Sequence, residues 1–214
     1  MQSGKCSKIC CRTYCKIKKH RIFAACYCTI NNYICRRNID MNMEIERLKA
    51  IVLYVLNAVP EKRIGKHELF KILYFASQKR LVSYGYVMIS DFYAFRYGPV
   101  PSGLYDYLKG DDNIILSSVS IDDNIISPLE MPDMEELSKA DVICLNESIQ
   151  ENYRLPFEKL TEKSHDFAWE KAWNNRVGSR GDKISIIEIA RSAHADESTI
   201  AYIREELELE SALI

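Results

Sequence analysis

A mainly α (α+β) fold, one compact helical domain with a small β-strand or hairpin element, is what this sequence predicts. Three observations carry that prediction. Apolar residues recur at three- and four-residue steps in segment after segment, the signature of helices with one buried face. Only two regions, Met88–Tyr97 and Asn113–Met131, break that period with β-branched and aromatic runs. Finally, 214 residues at 47% hydrophobic content are enough to bury a core, with one domain as the default.

The elements follow in chain order. Met43–Val59 places Ile45, Leu48, Val52, Val55, Leu56 and Val59 on one helical face, and Pro60 ends it. Lys66–Leu81 is a second helix through Leu69, Phe70, Leu73, Tyr74 and Ser77, with Gly85 as its terminator. A strand is expected around Asp91–Arg96. Gly98, Pro99 and Pro101 then forbid continuing it in a ladder, and Ser102 caps a short helix through Leu108. Between Asn113 and Met131, two β-prone runs flank Asp122-Asp123-Asn124, which reads as a hairpin or as an irregular loop. Ser138 introduces a helix over Lys139–Tyr153, with Val142, Leu145 and Ile149 on one side. Shorter helices are expected at Pro156–Ser164 and Phe167–Asn174, and a glycine-containing loop at Asn175–Lys183. Ile184–Glu210 holds two helices that separate near Ala195.

The first forty residues differ from the rest. Nine Lys/Arg against one acid give them +8, so a net charge of −1 leaves −9 for the remainder. Seven of the eight cysteines also precede Met41. The Cys spacings are too irregular for a tetrahedral zinc site, and seven cysteines cannot all pair. A signal peptide would need an apolar segment before Cys26, and almost none is present. The expectation is a basic, Cys-rich leader over 1–42, upstream of a true start at Met41 or Met43, with the working domain at 43–214. No apolar run in the sequence reaches the roughly 18 residues that span a bilayer.

The chemistry-bearing stretch is 70–108. Its Tyr97-Gly98-Pro99-Val100-Pro101 corner is rigid, because proline fixes φ and glycine reaches conformations closed to other residues. From spacing alone the corner joins strand to helix; the functional alternative is the rigid edge of a partner-binding groove. Tyrosines crowd around it, and tyrosine anchors interfaces as readily as it fills half-buried positions. Candidate partner-binding residues are Tyr93, Tyr97, Gly98, Pro99, Val100 and Tyr105. Farther on, His165 and Trp169 lie four apart on one helix face. His165 beside Asp166 invites a general-base reading; without a matching nucleophile, a structural role bracing the fold is expected for both His165 and Trp169. No catalytic, metal-binding or cofactor-binding set is expected, and the chain is read as a binding protein rather than an enzyme. Ile184–Leu207 has the outline of a helix-turn-helix, but it ends REELELE, which repels phosphate. Two packing helices are the plainer reading.

KILYFASQKRLVSYG, then DFYAFRYGPVPSGLYDYL, then LTEKSHDFAWEKAW, in that order and spacing, resemble the Panacea domain of SocA-like antitoxins, a family whose relatives are often labelled phage-associated proteins. The resemblance runs from about Glu44 to Glu210. Phe95 stands where members usually carry tryptophan, and Ser164-His165 where they usually carry Thr-His. What the resemblance implies is a cytoplasmic antitoxin of a toxin–antitoxin system, neutralising a toxin protein encoded nearby by direct contact. It also implies an adaptor mode, in which the toxin is delivered to a ClpXP-type protease. Neither a cofactor nor a membrane partner is implied, and nucleic acid is not the expected partner. The alternative is a DNA-binding transcriptional autoregulator using helices 184–207.

Overall fold

The structure, a computed structural model, describes residues 44–110, 115–176 and 181–212. The expected leader over 1–42, with its alternative starts, lies outside the described residues. So do 113–114 of the hairpin region and 177–180 of the Asn175–Lys183 loop. The chain divides into two units, Met1–Ile45 and Glu46–Ile214, and the fold is that of the second. It is mainly α with a small antiparallel β element, as the periodicity predicts.

Helix α1 (residues 44–58) stops ahead of Pro60. A two-residue strand β1 (Ile64–Gly65) follows, too short to be legible in sequence. Helix α2 (Lys66–Tyr84) is the centre of the domain, and every residue over 69–77 is buried. It ends at Gly85, whose φ of 70° closes the helix through an amide bond to the Leu81 carbonyl. The Tyr202 ring lies 2.7 Å from where a Cβ would stand, so both conformation and space require glycine there.

Strands β2 (Phe92–Phe95) and β3 (Gly98–Pro101) form an antiparallel hairpin across a two-residue Arg96-Tyr97 turn. This corrects the expectation that the prolines end the ladder. Pro99 and Pro101 pair with Ala94 and Phe92, and the amide and carbonyl groups of those two residues face the other way. Ala94 N–H donates to the Asp182 carbonyl, and Gly181 and Ile184 donate to the Ala94 and Phe92 carbonyls. The missing proline amides therefore fall on the side of β3 that β2 does not use. Helix α3 (Ser102–Tyr107) has Pro101, not Ser102, at its N-cap. Asp91 caps it from across the hairpin: its carbonyl accepts from Ser102 N–H at 3.0 Å and its carboxylate from Gly103 N–H.

The Asp122-Asp123-Asn124 region is a hairpin of β4 (Val119–Asp122) and β5 (Ile125–Pro128), with Asp123 at φ 54° in the turn. Strand order is β1-β5-β4, and the Asn124 carbonyl receives Lys66 N–H at the start of α2. Helix α4 (Lys139–Asn152) begins with a full capping box between Ser138 and Asp141. Burial would raise the Asp141 carboxyl, but hydrogen bonds from Ser138 and Arg80 and the charge of Arg47 hold it below the usual range. Arg47 on α1 and Arg80 on α2 both pair with it, at 3.2 and 2.9 Å, so one buried carboxylate ties three helices. Helices α5 (Phe157–Ser164) and α6 (Phe167–Asn174) meet at His165-Asp166. Helices α7 (Ile186–Ser192) and α8 (Glu197–Ala212) close the chain, their turn passing through His194 at φ 63°.

A clamped hairpin tip as the candidate functional site

The β2–β3 tip is held by its own carbonyls. In an ordinary two-residue hairpin, carbonyls at the tip face water; here four receive side-chain donors from the neighbouring helices and the junction between them. Trp169 Nε1 donates to the Phe95 carbonyl at 2.9 Å. His165 bonds the Arg96 carbonyl. His67 Nε2 lies 3.3 Å from the Tyr97 carbonyl, and Lys71 Nζ donates to Pro99 O at 2.9 Å. The grip therefore comes from α2 on one side and the α5–α6 junction on the other. Gly98 fits between them at φ 101°, and a Cβ there would run into Ser164 Oγ and, at 2.8 Å, Lys71 Nζ.

The electrostatics of the clamp follow from burial. Lys71 is 1% exposed, and loss of water pulls its ammonium down to about 7. His67 is pushed down to about 4 by burial and by Lys71, so it is neutral at pH 7. His165 is lowered for the same two reasons. Its Nε2 is buried without a partner, so in the neutral ring Nδ1–H is the donor to Arg96. The ring stacks on Trp169 with centroids 3.6 Å apart and planes 3° from parallel, and Trp173 extends the stack at 5.6 Å. Asp166 is turned away from this histidine. Its carboxylate caps α6 through Trp169 N–H and accepts from Tyr74 OH at 2.8 Å and Gln78 Nε2 at 2.7 Å.

The candidate residues thus separate. Gly98, Pro99 and Val100 are buried and cannot be surface anchors, because the strand they form is pressed onto α2. Tyr93 is half-buried, bridged to Lys183 along the edge of β2. Tyr105 is half-buried against Phe70 and Phe95, with Lys109 Nζ 4.0 Å over its ring. Tyr97 alone of the six is well exposed, at 50%. Its ring edge meets Phe157 at 5.3 Å, and Phe157 lies on the His67 ring at 4.1 Å. The sequence reading missed Lys71, His67, Arg96 and Phe157. Lys71 had a legible signal, as the one charge within the apolar run 69–77. The other three carried none, since their role depends on which helix reaches the tip.

At the far end, α7 and α8 do make a helix-turn-helix outline, and the exposed side of α8 carries Glu197, Glu205 and Glu208 with a single arginine, Arg204. Among the described residues no helix is long and apolar enough to cross a membrane.

The family model described as "Antitoxin SocA-like, Panacea domain" matches residues 69–170. That span opens at the buried centre of α2 and closes just past Trp169, so it contains the whole clamp except His67. No curated protein and no solved structure matches the chain.

Proposed function

We propose, from the match of residues 69–170 to the family model described as "Antitoxin SocA-like, Panacea domain", that the chain is an antitoxin neutralising a toxin protein by direct contact in the cytoplasm. The observation that carries the reading is the hairpin tip. Two buried side chains, Lys71 and Trp169, and two half-buried histidines, His67 and His165, hold its backbone while the Tyr97 side chain stands in solvent. Pre-fixing a contact residue removes ordering entropy from the binding step, which is how a small surface binds well. In this reading the chain performs no covalent step, and His165 serves by holding Arg96.

The test is growth of cells expressing the adjacent open reading frame, with and without this chain. Arrest by the neighbour and rescue by the chain are expected; a harmless neighbour, or arrest that persists, removes the reading. In the adaptor form, toxin levels fall when the chain is present and recover when a ClpXP-type protease is deleted; steady levels point to occlusion instead. The helix-turn-helix outline of α7–α8 motivates the alternative, a transcriptional autoregulator. Against it stands the acidic outer side of α8, which faces DNA phosphates unfavourably. Gel shifts on the chain's own promoter are expected to show no salt-sensitive binding.

A further inference from the structure

We infer that the partner docks on the outer face of the hairpin tip, on Tyr97, Phe157 and Arg96, and that the segment it presents is an apolar side chain flanked by a carboxylate. This inference rests on the antitoxin reading and assigns it a surface and a complementary chemistry.

The aromatic half comes first. Tyr97 and Phe157 are 50% and 45% exposed, yet they touch each other edge to face at 5.3 Å. Neither is free to collapse inward. The Tyr97 carbonyl is held by His67, and the His67 ring also backs Phe157 at 4.1 Å, while Thr161 Oγ1 lies 3.3 Å from its Nε2. Two large rings kept apart from the core and braced from behind form a fixed apolar step. Aromatic residues in such a setting supply most of the energy at protein interfaces. Tyr86 and Tyr202, also exposed, instead bond each other through their hydroxyls at 2.9 Å.

The charged half sets the partner's chemistry. Arg96 lies in the turn with its guanidinium carbon 5.4 Å from the Tyr97 ring centroid. Among the described residues no carboxylate reaches it within ion-pair distance, whereas Arg154 is paired with Glu61 and Lys159 with Glu162. His67 adds no charge at pH 7, being pushed down to about 4. Glu158 follows Phe157 in sequence, but one helical step turns it roughly 100° around α5. Among the described residues Arg96 is therefore a cation without a carboxylate partner beside the Tyr97 ring, which Phe157 meets in turn, and this is complementary to an Asp or Glu next to an apolar side chain. A nucleic acid could place a base on Tyr97 and a phosphate on Arg96, but the −9 balance outside the first forty residues opposes a polyanion.

The experiment is a calorimetric titration of the full chain with the purified protein encoded by the adjacent reading frame. Tyr97→Ala, Phe157→Ala, Arg96→Glu and Arg96→Gln are compared with wild type and with Met131→Asp, a control at an exposed position outside the tip. Thermal unfolding of each variant checks the fold. Tyr97→Ala and Arg96→Glu are expected to weaken binding by on the order of 30-fold without lowering the unfolding temperature. Met131→Asp should bind as wild type. Raising the salt should weaken wild-type binding and leave Arg96→Gln nearly unaffected. If the tip variants bind like wild type, the docking surface is wrong while the antitoxin reading stands. If the wild-type chain neither binds nor rescues, both fall together. Two other results overturn the inference: Tyr97-dependent binding of a single-stranded oligonucleotide, or self-association abolished by Arg96→Glu.

Discussion

Replacing Lys71 with methionine tests the clamp at its most deeply buried member. The ammonium is 1% exposed and donates to the Pro99 carbonyl, and desolvation draws it from its ordinary 10.5 down to about 7. Between those values the unfolded chain holds a proton that the folded chain has released. Stability therefore rises with pH across that window, and the penalty is gone above 10.5. Linkage makes the penalty about 4 kcal/mol at pH 7 and about 2 kcal/mol at pH 9, so Lys71 contributes a gain of about 2 kcal/mol between them. Methionine is of similar length and carries no proton, so the variant escapes the penalty. Against this, the buried Pro99 carbonyl loses its donor, which costs about 1–3 kcal/mol. Lys71→Met should therefore be about 1–3 kcal/mol more stable than wild type at pH 7 and within about 1 kcal/mol of it at pH 9. Urea denaturation at pH 7, 8 and 9 reads this directly. A wild-type-minus-variant difference that stays constant to within about 0.5 kcal/mol across the series would refute the reasoning, because it would mean that Lys71 is not desolvated.

Three further perturbations probe the frame around the tip. Gly98→Ala sets a side chain at φ 101° against Ser164 Oγ and Lys71 Nζ; a loss of about 2–5 kcal/mol by thermal or urea unfolding is expected. Asp141→Asn leaves Arg47 and Arg80 without their shared carboxylate and should lower stability by about 3–5 kcal/mol at pH 7. Because the folded Asp141 carboxyl is held low, its contribution is present above the usual carboxylate range and disappears as pH falls through it, so the variant should approach wild type in acid. His67 is also depressed, from 6.5 to about 4, so the unfolded chain takes up a proton first and stability should fall as pH drops through that window. In His67→Gln that acid slope should be shallower, while equal slopes would mean that His67 is not held neutral by the tip.

Local signals in the sequence determined the helices. Each has either a strong apolar period or explicit punctuation: Ser138 with Asp141 at the start of α4, Gly85 at the end of α2, and Pro60 beyond α1. Such signals act within a few residues, so they can be read from the chain alone. At Asp122-Asp123-Asn124 the local signal allowed a hairpin or an irregular loop, and the pairing of β4 with β5 decided for the hairpin. Proline at 99 and 101 misled, because proline forbids a ladder only where its amide would face the neighbouring strand. Which way it faces was decided by residues 181–184, some 80 positions away, taking the other side of β2. Exposure at the tip was equally hidden. Gly98, Pro99 and Val100 share a motif with Tyr97, but α2 covers the first three and leaves the tyrosine outside. The sequence by itself therefore determined the helical class and the family resemblance, and it drew the eye to the 97–101 corner. Only the tertiary structure decided that this corner is gripped through its carbonyls by Lys71, His67, His165 and Trp169, and that Phe157 meets the Tyr97 ring, because hydrogen bonds and burial between distant segments leave no periodicity to read.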